Sequence, residues 1–154
     1  MVSDLRTLKA KHGDVVKTNG HTQIGTGGGV YIFEALSSKL DNNGAWIASS
    51  VAAGTWVLVS PLNFENFGMI AGSDDQSQKM QTCLDYARDS KIYDISFEKP
   101  NQYTINNTVI FKPFRLSERH TYYSTSPKLS IQTNGASFTT SRDNFTMFKV
   151  FREM

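Results

Sequence analysis

Two adjacent aspartates, Asp74 and Asp75, are the residues most open to a chemical interpretation. They stand between a glycine-punctuated segment and a helical pattern. Paired carboxylates could hold a divalent cation or act as an acid–base pair. They could equally mark the start of a helix, where the helix dipole favours negative charge. The residues that follow decide between these interpretations.

A helical period begins directly after the aspartates. The apolar residues recur at i, i+3, i+4 and i+7, on one face of a helix: Met80, Cys83, Leu84 and Ala87. Ser73 and Gln76 fit the capping-box pattern, which predicts a helix beginning at Ser73 with both aspartates in its first turn. We therefore interpret the pair as a helix start, and Cys83 as a buried, unreactive thiol.

Other candidate sites lack the partners that their chemistry needs. Gly25–Gly29 has no Lys-Ser/Thr of a phosphate loop and precedes a strand, so we interpret it as the start of a hairpin. His12, His21 and His120 have no cysteine or carboxylate at zinc-ligand spacing. We assign no residue as catalytic, cofactor-binding or metal-binding, and we expect no cofactor.

Aromatic side chains are the remaining candidates for sugar binding. We interpret Trp46 and Trp56 as core or sheet-stacking residues, with a sugar platform as the alternative. Tyr122 and Tyr123, in the polar segment 119–126, form a candidate exposed pair in a loop, although a structural role is the default.

Composition excludes several function classes. The 154 residues carry a net charge of +2 without a basic block, which disfavours nucleic-acid binding. No apolar run approaches 18 residues and no signal peptide is apparent. We therefore expect the protein to be synthesised in a cytoplasm and not to insert into a membrane. The length suits one ordinary domain or two very small ones.

The first half of the chain reads as a small β module. After a helical turn at Ser3–Lys9, the predicted strands are Asp14–Thr18, Gly29–Ala35, Ala45–Ser49 and Gly54–Ser60. The module ends near Leu62, and residues 63–72 form a connector or linker.

The second half returns to short strands after the helix. The predicted strands are Ile92–Phe97, Tyr103–Ile105, Thr108–Phe111, Leu129–Thr133, Ala136–Thr139 and Asn144–Phe151. Such short strands, broken by Asn-Gly and Asn-Asn, suit a solenoid in which each strand stacks on the previous coil.

These segments together resemble the N-terminal part of bacteriophage tailspikes. The resemblance rests on GTGGGVYIFEA, DNNGAWIAS, GTWVLVS, FGMIAGSDDQSQKMQTCLDYA and LSIQTNGASFT. The loop before the helix is shorter than the usual one, and Asn101 stands where a glycine is common. The resemblance implies a mainly β chain: a β module over residues 1–62, then over 73–154 a helix that caps the first coils of a right-handed parallel β-helix of the pectate-lyase type.

The resemblance also implies function. Tailspikes are homotrimers that attach to other virion tail or baseplate proteins, and their β-helix binds and usually cleaves host surface polysaccharide. The catalytic carboxylates of tailspikes lie on later coils or between subunits, so we expect no enzymatic activity from this chain. The chain reads as cut inside a coil, with a naturally short spike-derived protein as the alternative. The alternatives are part of a polysaccharide depolymerase (a glycosidase or lyase) and a free-standing carbohydrate-binding protein. We expect the protein in the virion tail, made in the cytoplasm of the bacterial host.

Overall fold

The computed structural model describes residues 1–111, 129–143 and 146–150. The chain is mainly β, with eleven strands, one α-helix and two 3₁₀ helices among the described residues. No helix in these ranges has the length and apolarity to cross a membrane. The predicted aromatic pair Tyr122–Tyr123, His120 and the C-terminal residues 151–154 lie outside the described residues.

Four strands form an antiparallel sheet in the order β1-β2-β4-β3. Their bounds are β1 Val15–Lys17, β2 Val30–Ala35, β3 Trp46–Ala48 and β4 Gly54–Leu58. Each lies inside a strand predicted from the sequence, which confirms all four. One face of this sheet carries the module core, because alternate residues of a strand point to the same face.

The buried face of the sheet packs against the N-terminus of the chain. Tyr31, Phe33 and Trp56 have at most 1% exposure, and Phe33 meets Trp56 edge to face with ring centroids 5.2 Å apart. A 3₁₀ helix, Val2–Thr7, adds the buried side chains of Val2 and Leu5 to this core. The helical turn predicted near Ser3–Lys9 is therefore present, in the tighter 3₁₀ form.

The connector between the sheet and the α-helix is more ordered than its sequence suggests. A second 3₁₀ helix, Phe64–Phe67, starts at Asn63, whose side chain accepts from the Asn66 amide at 2.8 Å. Gly68 ends it with φ of 78°, a left-handed conformation that favours glycine.

The predicted start of the α-helix is wrong. Helix α1 is Ser77–Asp89, and Gly72–Asp75 forms a strand, β5. Pairing of β5 with a later strand, β7 (Gln102–Thr104), keeps the backbone extended up to Gln76, whose amide donates to the Thr104 carbonyl at 2.8 Å. Asp74 and Asp75 thus precede the helix and do not lie in its first turn. The predicted apolar face is confirmed, since Met80, Cys83, Leu84 and Ala87 are buried.

The strands after α1 pair in parallel. Strands β6 Asp94–Ser96, β7 Gln102–Thr104 and β8 Val109–Phe111 are followed by β9 Ser130–Gln132, β10 Ser137–Thr139 and β11 Phe148–Val150. β6 pairs with β9, β7 with β10 and β8 with β11. Within residues 72–111, 129–143 and 146–150, these pairs form separate two- and three-stranded sheets and do not close into a solenoid.

Aromatic side chains fill the space between the parallel sheets. Phe97 stacks on Phe64 of the connector with centroids 4.4 Å apart, and Phe138 lies 5.4 Å from Phe97. Phe148 continues the contact at 5.2 Å from Phe138. These stacked rings join the connector to the parallel strands. The buried side chains of the two halves belong to one hydrophobic cluster.

Candidate functional site

The junction between the antiparallel sheet and the parallel strands is built around a buried carboxylate. Glu65, in the second 3₁₀ helix, has no exposed surface. It accepts a hydrogen bond from the Tyr103 hydroxyl at 2.5 Å and another from the Glu98 amide at 3.0 Å. Burial and this carboxylate raise the pKa of Tyr103 well above its ordinary value. The hydroxyl therefore stays a donor, and Glu65 ties the connector to β7.

The glycine-rich loop packs onto the same junction. The amide of Gly27 donates to the Glu98 carboxylate at 2.7 Å, and Asn66 Nδ2 donates to the Gly28 carbonyl at 3.0 Å. Lys99 Nζ donates to the Gly25 carbonyl and the Thr26 hydroxyl. A Cβ at Gly27, which has φ of 70°, would lie 1.9 Å from the Glu65 carbonyl oxygen. The glycine is needed here for close backbone approach, and the loop leads into strand β2 as predicted.

A cleft of about 510 Å³ opens beside this loop. Its polar lining comes from both halves of the chain and includes Lys17, Asn19, Ser60, Asn63 and Glu98. No aromatic ring lines it, so it lacks the flat apolar platform on which a sugar ring stacks. The cleft is a polar gap at the junction, and its residues were not predicted from the sequence.

Asp75 occupies a second point of contact between elements. Its carboxylate accepts hydrogen bonds from the Ser77 amide at 3.0 Å, the Ser77 hydroxyl, the Asn106 amide at 2.9 Å and Asn107 Nδ2. Burial acts to raise the pKa of Asp75, but these hydrogen bonds together hold it below its ordinary value. Asp75 thus joins β5, the start of α1 and the loop between β7 and β8.

Asn106 extends this polar contact to the next set of strands. Its side-chain oxygen accepts from the Ser141 amide at 2.9 Å and from the hydroxyls of Thr140 and Ser141. The corner from Asp75 through Asn106 to Ser141 is therefore linked by hydrogen bonds across three successive passes of the chain. These hydrogen bonds explain Asp75 as a residue with a structural role.

The tryptophans occupy different environments. Trp56 has no exposed surface, which confirms its interpretation as a core residue. Trp46 is half-buried, edge to face with Tyr86 at 5.3 Å, and the Lys39 ammonium lies 5.9 Å from its ring centroid. These contacts match the stacking role predicted for Trp46.

The remaining candidate residues have structural partners. Burial, reinforced by the nearby Glu65 carboxylate, raises the pKa of Cys83 well above its ordinary value and keeps the thiol protonated, as predicted. Burial lowers the pKa of His21, whose Nε2 lies 2.5 Å from the Asn43 carbonyl. His12 Nδ1 accepts from the Ala35 amide at 3.3 Å. Among the described residues, no three His, Cys, Asp or Glu side chains are grouped to hold a metal ion.

A protein-family model matches the first 60 residues of the chain. Residues 1–60 match the family described as the phage tail protein small four-stranded β-sheet domain. This range contains the whole antiparallel sheet of strands β1 to β4. No curated protein sequence matches the chain.

Solved structures resemble the chain over most of its length. The tailspike of Acinetobacter baumannii phage AM24 matches 97% of the chain with a TM-score of 0.72 and 18% identity. The enzymatically active domain of tailspike protein 2 from bacteriophage CBA120 matches 86%, at TM-score 0.60 and 25% identity. The tailspike gp49 of A. baumannii phage Fri1, named as a capsular polysaccharide depolymerase, matches 94%, at TM-score 0.59 and 21% identity.

The chain is short beside these spikes. It spans 23%, 17% and 23% of the three matched chains, respectively. Residues 1–60 therefore match the phage-tail small four-stranded β-sheet domain, and the fold of the chain is similar to part of these tailspikes, consistent with an N-terminal tailspike module.

Proposed function

We propose that the chain is the N-terminal connecting part of a tailspike, which joins the virion side of the spike to a polysaccharide-binding β-helix. The observation that carries the proposal is the succession of two kinds of sheet. An antiparallel sheet of a phage-tail family leads, through α1, into strands that pair in parallel with strands 35 to 39 residues later. Parallel pairing at a nearly constant separation is what stacked coils of a solenoid require.

In this proposal the chain divides at the boundaries expected from its sequence. Residues 1–62 are the connecting module, 63–72 the linker, and 73–154 a capping helix with the first coils of a right-handed β-helix. The position of α1 supports the capping role. Gln81 Nε2 donates to the Ile110 carbonyl at 3.1 Å, and the Ile110 amide donates to Gln81 Oε1 at 2.8 Å, so the helix meets β8 where another strand would pair.

The connecting role is favoured over direct anchoring by the matched structures. One of them is named as the enzymatically active domain of tailspike protein 2 from bacteriophage CBA120, and it includes a part that resembles this chain. A segment found within such domains suits the start of the β-helix better than a separate virion anchor. We propose that the longer spike is a homotrimer in the virion tail that contacts other tail proteins and binds host polysaccharide.

We further propose that polysaccharide cleavage belongs to the longer spike and not to this chain. The gp49 neighbour is named as a depolymerase, and this chain spans only 23% of its length. Glycosidases need two carboxylates facing each other across a substrate-binding groove. Asp75 is engaged by four hydrogen bonds and Glu65 has no exposed surface, so neither side chain is free for such a role.

Disulfide trapping tests the start of the solenoid directly. Asp94 and Ser130 are register partners in β6 and β9, and both side chains are exposed. The double variant Asp94→Cys/Ser130→Cys should form an intrachain disulfide on mild oxidation, because directly paired strands bring their Cα atoms within bridging distance. The matched control is Asp94→Cys/Gln132→Cys, which lies two residues out of register and should stay reduced.

Equal oxidation of the two double variants, or none in either, would contradict the stacked coils. An activity assay completes the test. Capsular polysaccharide incubated with this chain should keep its size distribution on gel filtration. Shortening of the polysaccharide that is lost in Asp74→Asn/Asp75→Asn would place catalysis in this chain and contradict the proposal.

A further inference from the structure

The far end of the antiparallel sheet, opposite the junction, carries large apolar side chains in solvent. Strands β2 and β3 end there and β4 begins there. Leu36 is 85% exposed, Leu40 83%, Val51 51% and Leu8 40%. These four are the majority of the seven exposed large hydrophobic residues in the described part of the chain. We call this set, Leu8, Leu36, Leu40 and Val51, the apolar tip.

Hydrogen bonds show that the loops of the apolar tip belong to one end of the sheet. The Leu36 amide donates to the Ala53 carbonyl at 2.9 Å, which joins the loop after β2 to the turn between β3 and β4. The Ser50 amide donates to the Arg6 carbonyl at 2.7 Å, which joins that turn to the segment before Leu8. Asp41, beside Leu40, accepts from the Ala48 amide at 3.0 Å. The four side chains therefore project from neighbouring loops.

The backbone conformation of Leu36 is independent evidence that the apolar tip contacts a partner. Its φ is 59°, in the left-handed region that a bulky L residue rarely adopts. Glycine or asparagine would fill this position with less strain. A leucine here is strained and also exposes almost its whole apolar side chain to water. Neither feature stabilises the folded chain, so the side chain is explained by contact with a partner.

The charges around the apolar tip indicate the kind of partner. Arg6 pairs with Asp41, and Lys39 pairs with Glu34 at 2.7 Å, so these four charges cancel. Lys9, Lys11 and Asp14 remain, and they lie in the segment beside the end of β2. Asp14 accepts from the Lys11 backbone amide at 2.8 Å. The two lysines and one aspartate give the border of the apolar tip one net positive charge.

We infer that the apolar tip is the docking surface for another protein that presents an apolar patch bordered by carboxylates. The inference rests on the proposed connecting function, because the apolar tip lies at the end of the sheet away from the parallel strands. A second copy of this chain in a two-fold contact is disfavoured as the occupant, because that contact would bring the lysines of the two copies together and like charges at an interface oppose binding.

The inference can be tested with a defined probe. The probe is a fluorescent amphipathic helical peptide with a leucine stripe flanked by glutamates, and its control has lysines in place of the glutamates. Fluorescence anisotropy should show binding of the acidic peptide and about tenfold or weaker binding of the basic one. The variant Lys9→Glu/Lys11→Glu should reverse this preference.

A pair of glycine variants separates binding from folding. Leu36→Gly relieves a left-handed strain and should leave the melting temperature unchanged or higher while weakening acidic-peptide binding about tenfold. Lys91→Gly is the matched control, because Lys91 has a φ of 57° and lies after α1, away from the apolar tip. It should keep full peptide binding.

Several outcomes would overturn the inference: no binding of the acidic peptide, equal binding of both peptides, or unchanged binding by Leu36→Gly. Self-association in sedimentation that Leu36→Gly abolishes would assign the apolar tip to a second copy instead. Each of these leaves the Asp94–Ser130 disulfide trap unaffected. The docking inference can therefore fail while the proposed connecting function stands, and the two failures are distinguishable.

Discussion

The antiparallel sheet and the parallel strand pairs obtain their stability in different ways. The four strands of the sheet pair across 7 to 27 residues, and they share one apolar face centred on Trp56. The parallel strands after α1 are only three residues long and pair with each other across 35 to 39 residues. Their order depends on side chains at the junction and at the corners, above all Glu65, Asp75 and Asn106. The difference predicts unlike responses to mutation in the two regions.

The largest expected effect is in the sheet. Trp56→Ala should lower the free energy of unfolding by about 3–5 kcal/mol, because it leaves a large cavity in a fully buried core. Trp56 Nε1 has no hydrogen-bond partner among the described residues, so Trp56→Phe should cost less. Urea denaturation followed by circular dichroism measures both variants.

The same experiment tests how far the two regions are separate. One hydrophobic cluster spans them, so we expect a single transition in Trp56→Ala. Two transitions, with the parallel strands persisting after the sheet has melted, would make the regions independent units.

The next effect is at the junction. Glu65→Ala removes the acceptor for the buried Tyr103 hydroxyl and the part-buried Glu98 amide, and a buried donor left unpaired costs about 1–3 kcal/mol. Glu65→Gln should cost less, because its oxygen can still accept from the Glu98 amide and its NH2 group can donate to the Tyr103 oxygen. Hydrogen exchange should show faster exchange in β7 than in β2 for the alanine variant. Equal acceleration in both strands would mean that Glu65 does not belong specifically to the junction.

A smaller effect is expected at the corner. The pKa of Asp75 is lower in the folded than in the unfolded chain. Its stabilising contribution is therefore present above the unfolded value of about 3.9 and is lost as the pH falls through the folded value. Asp75→Asn should cost about 1 kcal/mol at neutral pH, kept small by solvent screening, and the cost should shrink as the pH falls below the unfolded pKa toward the folded one. Asp74→Asn is the control, and an equal loss there would contradict the assignment to Asp75.

The smallest effect concerns His21, between the glycine-rich loop and Asn43. Its pKa is lowered by burial, so the unfolded chain binds the proton more readily. Stability should be unaffected above about pH 6.5 and should fall as the pH drops below that value toward the folded pKa. His21→Gln should flatten this slope in thermal denaturation between pH 7 and pH 5. An unchanged slope would assign it to another group.

The strands were predictable because their pattern is local. Alternating burial along β2 follows directly from the residues Val30–Ala35, and turn residues bound each strand. The start of α1 was not predictable in this way. Residues Ser73–Gln76 satisfy a helix-capping pattern, yet pairing with β7, about thirty residues later, keeps Gly72–Asp75 extended. A tertiary contact outweighed a local preference.

The junction was hidden for the same reason. Glu65 stands in the segment Asn63–Gly68, where a lone charge among phenylalanines is a visible signal of a buried polar contact. Its partners Tyr103 and Glu98 are more than thirty residues away, so sequence spacing does not identify them. Leu36 gave no signal either, because its left-handed φ is a property of the folded loop.

The hydrogen bonds between the Gln81 side-chain amide and the Ile110 backbone affect where a further strand can pair with β8. A bare strand edge is a template on which any other extended chain can add, and such edges are sites of aggregation. The glutamine side chain satisfies both backbone groups of Ile110 on the helix side of β8. Strand addition at that point is thereby blocked on the helix side. In the proposed β-helix, further strands would therefore add on the opposite side of β8, where β11 already lies, and the helix would set a single direction of extension.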